Sequence, residues 1–367
     1  MVCTEKQERT GFKTSLTHSP QLEAFFLLLS GENPTLPRAE VAAILDSERC
    51  PVADVLEYHR IVRLRTTQLG VQAVARRAAY TRTACREIFS CEANESKILE
   101  MVGTTSFNEF LNQGEAFKVE VVNMSLHHSH EPVDTRVLEA KIGRAILDEV
   151  PRARVDLSRD SKTFCGVATS ESFLLGLSLD AEERGFGARR LHSRPFFHPS
   201  AMQPKLARCM VNLSRARPGE VFLDAFCGTG SQLVEAASIG CTVLGSDIDP
   251  RMIRGAAQNL LFSCAGEHHL CVADARSVPF KSFDSCASDP PYGRGSSTHG
   301  AQAGSLVRGF LARAIDALGR GDYLCLAFPE GGGIREFGVD AGFKVLETHL
   351  VREHKSLTRE VAVLKKP

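Results

Sequence analysis

Glu220 to Gly230 reads Glu-Val-Phe-Leu-Asp-Ala-Phe-Cys-Gly-Thr-Gly, an apolar run that stops at an acid, enters a glycine-rich turn and leads into a helical stretch from Ser231 to Ile239. A strand that feeds a helix through a turn this short belongs to an α/β architecture. The alternation continues regularly from Val221 to Ala327, as a parallel sheet covered by helices requires. Two closing strands, Phe343 to Val351 and Glu360 to Leu364, lie near enough in sequence to form an antiparallel hairpin.

The glycine turn predicts a nucleotide pocket. Gly228 and Gly230 allow the backbone to turn tightly and to approach a ligand closely, and the helix that follows offers free N–H groups. A dinucleotide site carries G-x-G-x-x-G, and Gly-Thr-Gly-Ser-Gln-Leu lacks the third glycine, so phosphate binding is disfavoured. The next strand, Cys241 to Ser246, ends in Asp247-Ile248-Asp249, about 20 residues beyond the glycines, where an acid can bind both hydroxyls of a ribose. A third strand, His269 to Ala273, ends in Asp274-Ala275, placed to meet an adenine amino group. Any one of these acids alone reads equally as a helix N-cap or a solvated turn; three at successive strand ends form a set. A ribose acid, an adenine acid and a turn for the methionine end together describe S-adenosylmethionine. The expected cofactor residues are Asp224, Phe226, Gly228, Thr229, Gly230, Asp247, Ile248, Asp274 and Ala275.

Further along, Ala287-Ser288-Asp289-Pro290-Pro291-Tyr292-Gly293 places an acid, two prolines and an aromatic after an apolar strand. The exocyclic amine of a base is a poor nucleophile because its lone pair is delocalised into the ring. The Asp289 carboxylate and the Pro290 carbonyl can each accept one N–H, Pro290 and Pro291 stiffen the turn, and Tyr292 offers a face for an extruded base. The competing reading is a Pro-Pro loop with a surface aromatic. Gly293 to Gly304, rich in Gly and Ser, reads either as a lid or as a plain flexible loop.

Composition narrows the class. The 367 residues are 43% hydrophobic and carry zero net charge, so more than one core is expected and any nucleic-acid footprint must come from local patches. Twelve cysteines occur without a C-x-x-C pair and read as small core residues, Cys241, Cys271, Cys286 and Cys325 inside strands. His127, His128 and His130 stand without a companion cysteine, and no metal is expected. With no apolar run near the roughly 20 residues of a membrane span and no signal-peptide pattern, the sequence predicts a cytoplasmic protein away from membranes, and a monomer.

The first half mixes elements in another order. A buried strand is predicted over Leu22 to Leu29, a helix over Arg38 to Leu45 behind Pro37, and strands over Tyr58 to Leu64, Phe117 to Val122, Arg154 to Leu157 and Phe173 to Leu179. A helix over Val137 to Leu147 is capped by Asp134. From Arg60 to Arg86 there are seven arginines and no acid, with Tyr80 among them, which reads as a solvated helix face or as a phosphate-binding surface that includes Arg76, Arg77 and Arg82.

Leu29-Ser-Gly-Glu-Asn-Pro-Thr-Leu-Pro-Arg-Ala-Glu40 and Arg194-Pro-Phe-Phe-His-Pro-Ser-Ala-Met-Gln-Pro-Lys-Leu-Ala-Arg208 resemble the archaeal tRNA guanine-N2 methyltransferases that act on guanosine 10, and the likeness covers nearly the whole chain after residue 20. The resemblance implies a class I Rossmann-like S-adenosylmethionine methyltransferase domain, a mostly parallel sheet finished by the C-terminal antiparallel hairpin, behind an α+β ferredoxin-like plus THUMP module. The polar 1–20 segment reads as disordered on its own composition, and the division that the resemblance implies for the rest is a ferredoxin-like domain over 21–90, a THUMP domain over 91–180, a linker over 181–194 and the methyltransferase domain over 195–367. It implies tRNA as partner, N2-methylguanosine as product and N2,N2-dimethylguanosine as a further one, with Phe197, His198 and, in the closing stretch His354 to Arg359, Arg359 near the substrate. Guanosine elsewhere in tRNA, adenine N6, and a non-catalytic RNA-binding THUMP protein are the alternatives. Each half is expected to fold around its own core.

Overall fold

The computed structural model describes residues 21–124, 134–158, 161–179, 185–264, 266–292, 300–354 and 357–367. The 1–20 segment, the His127, His128 and His130 cluster and most of the 293–304 loop lie outside the described residues.

The first half is built on an eight-stranded sheet. In chain order it comprises β1 (Glu23–Leu29), α1 (Leu36–Ser47), β2 (Ala53–Tyr58), β3 (Ile61–Thr66), α2 (Gln68–Arg77), β4 (Thr81–Glu92), α3 (Glu95–Thr104), β5 (Ala116–Asn123), α4 (Thr135–Glu149), β6 (Arg154–Val155), β7 (Lys162–Ala168) and β8 (Ser172–Ser178). The strand order is β2-β3-β1-β4-β8-β7-β5-β6. β4 pairs with β1 through Phe25 to Leu29 and with β8 through Ser172 to Ser178, so the 90/91 boundary falls inside β4 and one sheet runs across it. The stretch Tyr58 to Leu64 is not one strand: the chain turns between β2 and β3, which pair antiparallel from Tyr58↔Ile61 outward. Asp134 caps α4 by accepting from the backbone N–H groups of Arg136 and Val137.

The second half is a seven-stranded sheet. It comprises α5 (Pro204–Leu213), β9 (Val221–Asp224), α6 (Ser231–Ala237), β10 (Thr242–Asp247), α7 (Pro250–Phe262), β11 (His268–Val272), β12 (Phe283–Ser288), α8 (Gly300–Ala317), β13 (Leu318–Pro329), α9 (Ile334–Asp340), β14 (Lys344–His354) and β15 (Leu357–Lys365). The order is β11-β10-β9-β12-β13-β15-β14. β10 with β11, β9 with β10, β9 with β12 and β12 with β13 are parallel, and β15 alone runs against its neighbours β13 and β14. The order reverses between β9 and β12, and in open α/β sheets the ligand crevice opens beyond the carboxyl ends of the strands at such a reversal.

Besides the apolar clusters that lie wholly within each half, one buried cluster is shared between them. Leu36, Ala43, Ala79 and Tyr80 from the first half pack in one buried cluster with Leu206, Met210 and Phe222 from the second. Glu40 is fully buried at this seam, where its carboxylate accepts from Ala79 N (2.8 Å), Tyr80 N (2.9 Å) and Asn212 Nδ2 (2.8 Å). Arg77 crosses the same seam, donating to Glu48 Oε1 (2.6 Å), Asn212 Oδ1 (3.2 Å) and the Ala216 carbonyl (2.6 Å). Its neighbour Arg76 is exposed.

Two consequences can be measured. Arg77→Met strands buried acceptors and should cost about 1–3 kcal/mol in urea unfolding, whereas Arg76→Met should stay within about 0.5 kcal/mol of the parent. On α7, a Cβ at Gly255 would lie 2.0 to 2.4 Å from Phe196 ring carbons. Gly255→Ala should therefore destabilise by about 1–3 kcal/mol by the same measure, through overpacking.

Candidate active site

Two strand ends make the floor of the crevice. Asp224 closes β9 and Ser288 closes β12, and the Ser288 hydroxyl donates to Asp224 Oδ1 (2.7 Å) while accepting from Ala225 N (2.9 Å). Ser288 was not anticipated; its only sequence signal is a small polar residue directly ahead of Asp289. Burial pushes the Asp224 carboxyl up to about 7, against the Ser288 and Phe226 hydrogen bonds and with help from the nearby Asp247 and Asp289 charges.

Beyond β9 the chain makes the glycine turn. Gly228 and Gly230 both take left-handed backbone conformations, φ 49° and 80°, which explains why glycine stands there. A Cβ on Gly228 would meet nothing within 4 Å, whereas one on Gly230 would meet Ala256 of α7 at 3.2 Å. Asp247, the last residue of β10, reaches across to this turn: Oδ2 accepts from Gly228 N (2.9 Å) and Oδ1 from Asp249 N (2.9 Å). Burial raises the Asp247 carboxyl above the ordinary range, and these backbone N–H groups oppose it. Ile248 beside it is exposed, Thr229 is buried and Phe226 packs edge-on against Phe310 at 5.4 Å. Asp274 follows β11, but its carboxylate is held by its own turn, through Arg276 N (2.9 Å), Nε (3.0 Å) and Nη2 (2.6 Å), and the Arg276 guanidinium keeps it below the ordinary range. Ala275 is buried.

Asn259, fully buried on α7, joins a second segment to the turn. Its Nδ2 donates to the carbonyls of Phe196 (3.0 Å) and Thr229 (2.9 Å), and its Oδ1 accepts from Phe196 N (3.0 Å). This pins the Arg194 to Pro199 stretch beside the crevice. Phe197 is exposed there and stacks on His192 with ring centroids 4.9 Å apart, while His198 Nδ1 meets Ser200 Oγ at 2.7 Å.

The Asp289 turn completes the floor. Asp289 Oδ2 accepts from Arg359 Nη2 at 3.1 Å, and Oδ1 is buried with no hydrogen-bond partner among the described residues. Burial raises this carboxyl and the Arg359 charge pulls it back. Pro290 is buried and Pro291 half-buried. The Tyr292 ring meets Phe328 edge-on at 5.8 Å, its hydroxyl accepts from Arg359 Nε, and burial drives its ionisation far above neutrality, so the phenol stays protonated.

The arginine-rich stretch is not one phosphate surface. Arg77 lies in the seam, Tyr80 is buried, Arg63 pairs bidentately with Glu87, and Arg86 pairs with Glu23. Arg77 is thereby removed from the set of nucleic-acid contacts, because the side chain is buried and its Nη groups are engaged within the seam; Arg76 and Arg82 remain exposed. Among the described residues no group of three or more His, Cys, Asp or Glu side chains is arranged to hold a metal ion, and no helix is long and apolar enough to cross a membrane.

Residues 191–359 match the family described as RMKL-like, methyltransferase domain. A tRNA (guanine(10)-N2)-dimethyltransferase of Methanothermobacter thermautotrophicus is 34% identical over 346 residues, spanning 93% of this chain and 98% of that protein. The chain belongs to the tRNA (guanine(10)-N2)-dimethyltransferase family. A second member, from Methanocaldococcus jannaschii, is 27% identical over 368 residues, covering 92% of this chain and 99% of its own length. The crystal structure of TrmN from Thermus thermophilus has the same fold, with a TM-score of 0.55 and 21% identity over 94% of this chain and all of that one.

Asp224 gives this site a pH signature. Its carboxyl ionises near 3.8 in an unfolded chain and near 7 in the folded one. Between those values the folded protein keeps a proton that the unfolded chain has lost, so stability falls as pH rises through that window and levels off above it. Asp224→Asn should remove this component: the difference in urea-unfolding free energy between variant and parent should move in the variant's favour from about pH 4 to about pH 7.

Proposed function

We propose that the chain transfers methyl groups from S-adenosylmethionine to the exocyclic N2 of guanosine in tRNA, at position 10, giving N2-methylguanosine and then N2,N2-dimethylguanosine. The observation that carries the chemistry is the buried Oδ1 of Asp289 at the carboxyl end of β12, which has no hydrogen-bond partner among the described residues. A buried acceptor without a donor is costly, and an amino N–H supplies what it lacks. The carbonyl of Pro290 serves as the second acceptor. Holding both hydrogens of the amine turns its lone pair out of conjugation and toward the incoming carbon, so positioning contributes most of the rate.

The residues around the glycine turn fit the cofactor. The space beside Gly228 that a Cβ would meet nothing in, the half-buried Asp247 carboxylate and the exposed Ile248 offer a backbone cradle, a hydroxyl acceptor and an apolar lid for a nucleoside. Asp224, Phe226, Thr229 and Gly230 line the same turn, and Asp274 with Ala275 stands at the next strand end. When bound, S-adenosylmethionine supplies an electrophilic methyl on a sulfonium. The nitrogen becomes strongly acidic once it bonds to carbon, so Asp289, or water, takes the proton without needing a carboxyl poised near 7. Tyr292 flanks the base; held protonated, it is no rival base. Arg76 and Arg82, with Phe197 and His198 beside the crevice, are the proposed tRNA contacts. The first-half sheet, read as ferredoxin-like and THUMP segments, docks the tRNA, and the protein acts in the cytoplasm as a monomer.

Nucleoside analysis of tRNA treated with the protein and S-adenosylmethionine, followed by mapping of the modified position, tests the reading directly. N2-methylated guanosine at position 10 is expected, and N6-methyladenosine, or guanosine methylated only elsewhere, would replace the assignment. Asp289→Ala should lower turnover by at least ~100-fold with cofactor affinity nearly unchanged. Asp247→Ala should weaken S-adenosylmethionine by ~1–3 kcal/mol in calorimetry, and unaltered binding would remove Asp247 from the pocket.

A further inference from the structure

Arg359 serves three acceptors at once. Nη2 donates to Asp289 Oδ2 (3.1 Å), Nε to the Tyr292 hydroxyl, and Nη1 pairs with Glu353 Oε1 (2.5 Å). The guanidinium is only 11% exposed, Asp289 18% and Glu353 27%. Arg359 stands on β15, opposite Pro329 of β13 and Val351 of β14, and Glu330 N donates to the carbonyl of its neighbour Thr358 at 3.0 Å. The one antiparallel strand therefore carries a cation to the end of β12. A guanidinium with each face of its fork engaged, and this little surface, has scant capacity left for a phosphate.

The Asp289 carboxylate has one soft rotation, about Cβ–Cγ. Fixing Oδ2 on Nη2 fixes Oδ1 as well. The same fork holds the Tyr292 hydroxyl, so the acceptor and the aromatic ring are set relative to each other by one rigid, planar group. Glu353 gives that group a third tether from β14.

We propose that Arg359 is a positioning residue for methyl transfer: it locks the rotation of Asp289 so that Oδ1 alone faces the substrate amine, and Glu353 keeps the guanidinium in register. The proposal rests on the reading of Asp289 as the amine acceptor. It assigns Arg359 to the acceptor's geometry in place of the substrate contact that the sequence suggested.

Arg359→Gln and Arg359→Lys in the full chain, with Asp289→Asn to assign the signal, test it in two independent arms. The first is steady-state methylation of tRNA. Arg359→Gln should lower kcat roughly 100-fold at pH 7, with KM for tRNA and affinity for S-adenosylmethionine within about twofold, as expected for a misplaced group. Arg359→Lys, which keeps the charge and one donor, should recover about tenfold of that loss.

The second arm needs neither cofactor nor RNA: the Asp289 carboxyl is followed by carbon-13 NMR of aspartate-labelled protein across pH. Its midpoint should move up by about one pH unit or more in Arg359→Gln, because an adjacent cation is lost while Glu353, Tyr292 and Asp224, the other groups that face it, are unchanged. In Arg359→Lys it should stay near the parent's. A raised KM for tRNA with kcat intact would make Arg359 a substrate contact and overturn the proposal. So would an unmoved Asp289 midpoint. If Arg359→Gln fails to fold, judged by circular dichroism, Arg359→Lys decides: a parental midpoint with a kcat defect supports the proposal, and a parental kcat overturns it. A parent inactive on tRNA would defeat the functional reading, and the NMR arm would still decide the positioning claim.

Discussion

Everything in the catalytic half is arranged about the hydroxyl of Ser288. It donates to the carboxylate that ends β9 and accepts from the next backbone N–H, which ties together the two strand ends between which the sheet reverses its order. The glycine turn grows out of one of these ends and the Asp-Pro-Pro-Tyr turn out of the other. Under the proposed function, a cofactor held by the first and an amine held by the second meet at a place set by backbone that is hydrogen-bonded and buried.

The pocket is then braced from three sides. Asp247 holds the glycine turn from β10, Asn259 holds it from α7 and ties in Phe196, and Arg359 holds the Asp289 turn from the C-terminal hairpin. All three braces are ionised or amide side chains, and two of them, Asn259 and Arg359, span long stretches of sequence. Their energetic worth lies in fixed geometry as much as in stability, since a buried polar group with all its partners permits one arrangement and penalises others.

The features carried by local pattern were legible in the sequence. Alternation marked β9 to β13, the glycines marked a turn that takes left-handed φ at both positions, and acids did stand at the ends of β9 and β10 and just past β11. Asp134 capped α4 as its type and spacing suggest. What was not legible is what depends on pairing at a distance. Ser288 and Asp224 are 64 residues apart, Arg359 and Asp289 70, and Asn212 and Glu40 172, and no spacing rule connects them. The same blindness misplaced Arg77: seven cations without an acid look like a surface until β4 brings Glu87, β1 Glu23, the end of α1 Glu48, and α5 with the turn after it Asn212 and Ala216. The 12-residue β4 likewise serves two pairings, which a boundary drawn from composition cannot foresee.

The seam around Glu40 sets a ruler. A carboxylate buried with three donors from both halves, flanked by Arg77 and a common apolar cluster, tolerates neither a hinge nor a slide, because any opening would strand those groups without partners. The span from any point on the eight-stranded sheet to the Asp289 turn is thus a constant of the molecule. Under the proposed function, in which the first half grips a folded tRNA, the nucleotide that reaches the pocket is selected by length measured along its own rigid body, and the letters surrounding it need not be read at all.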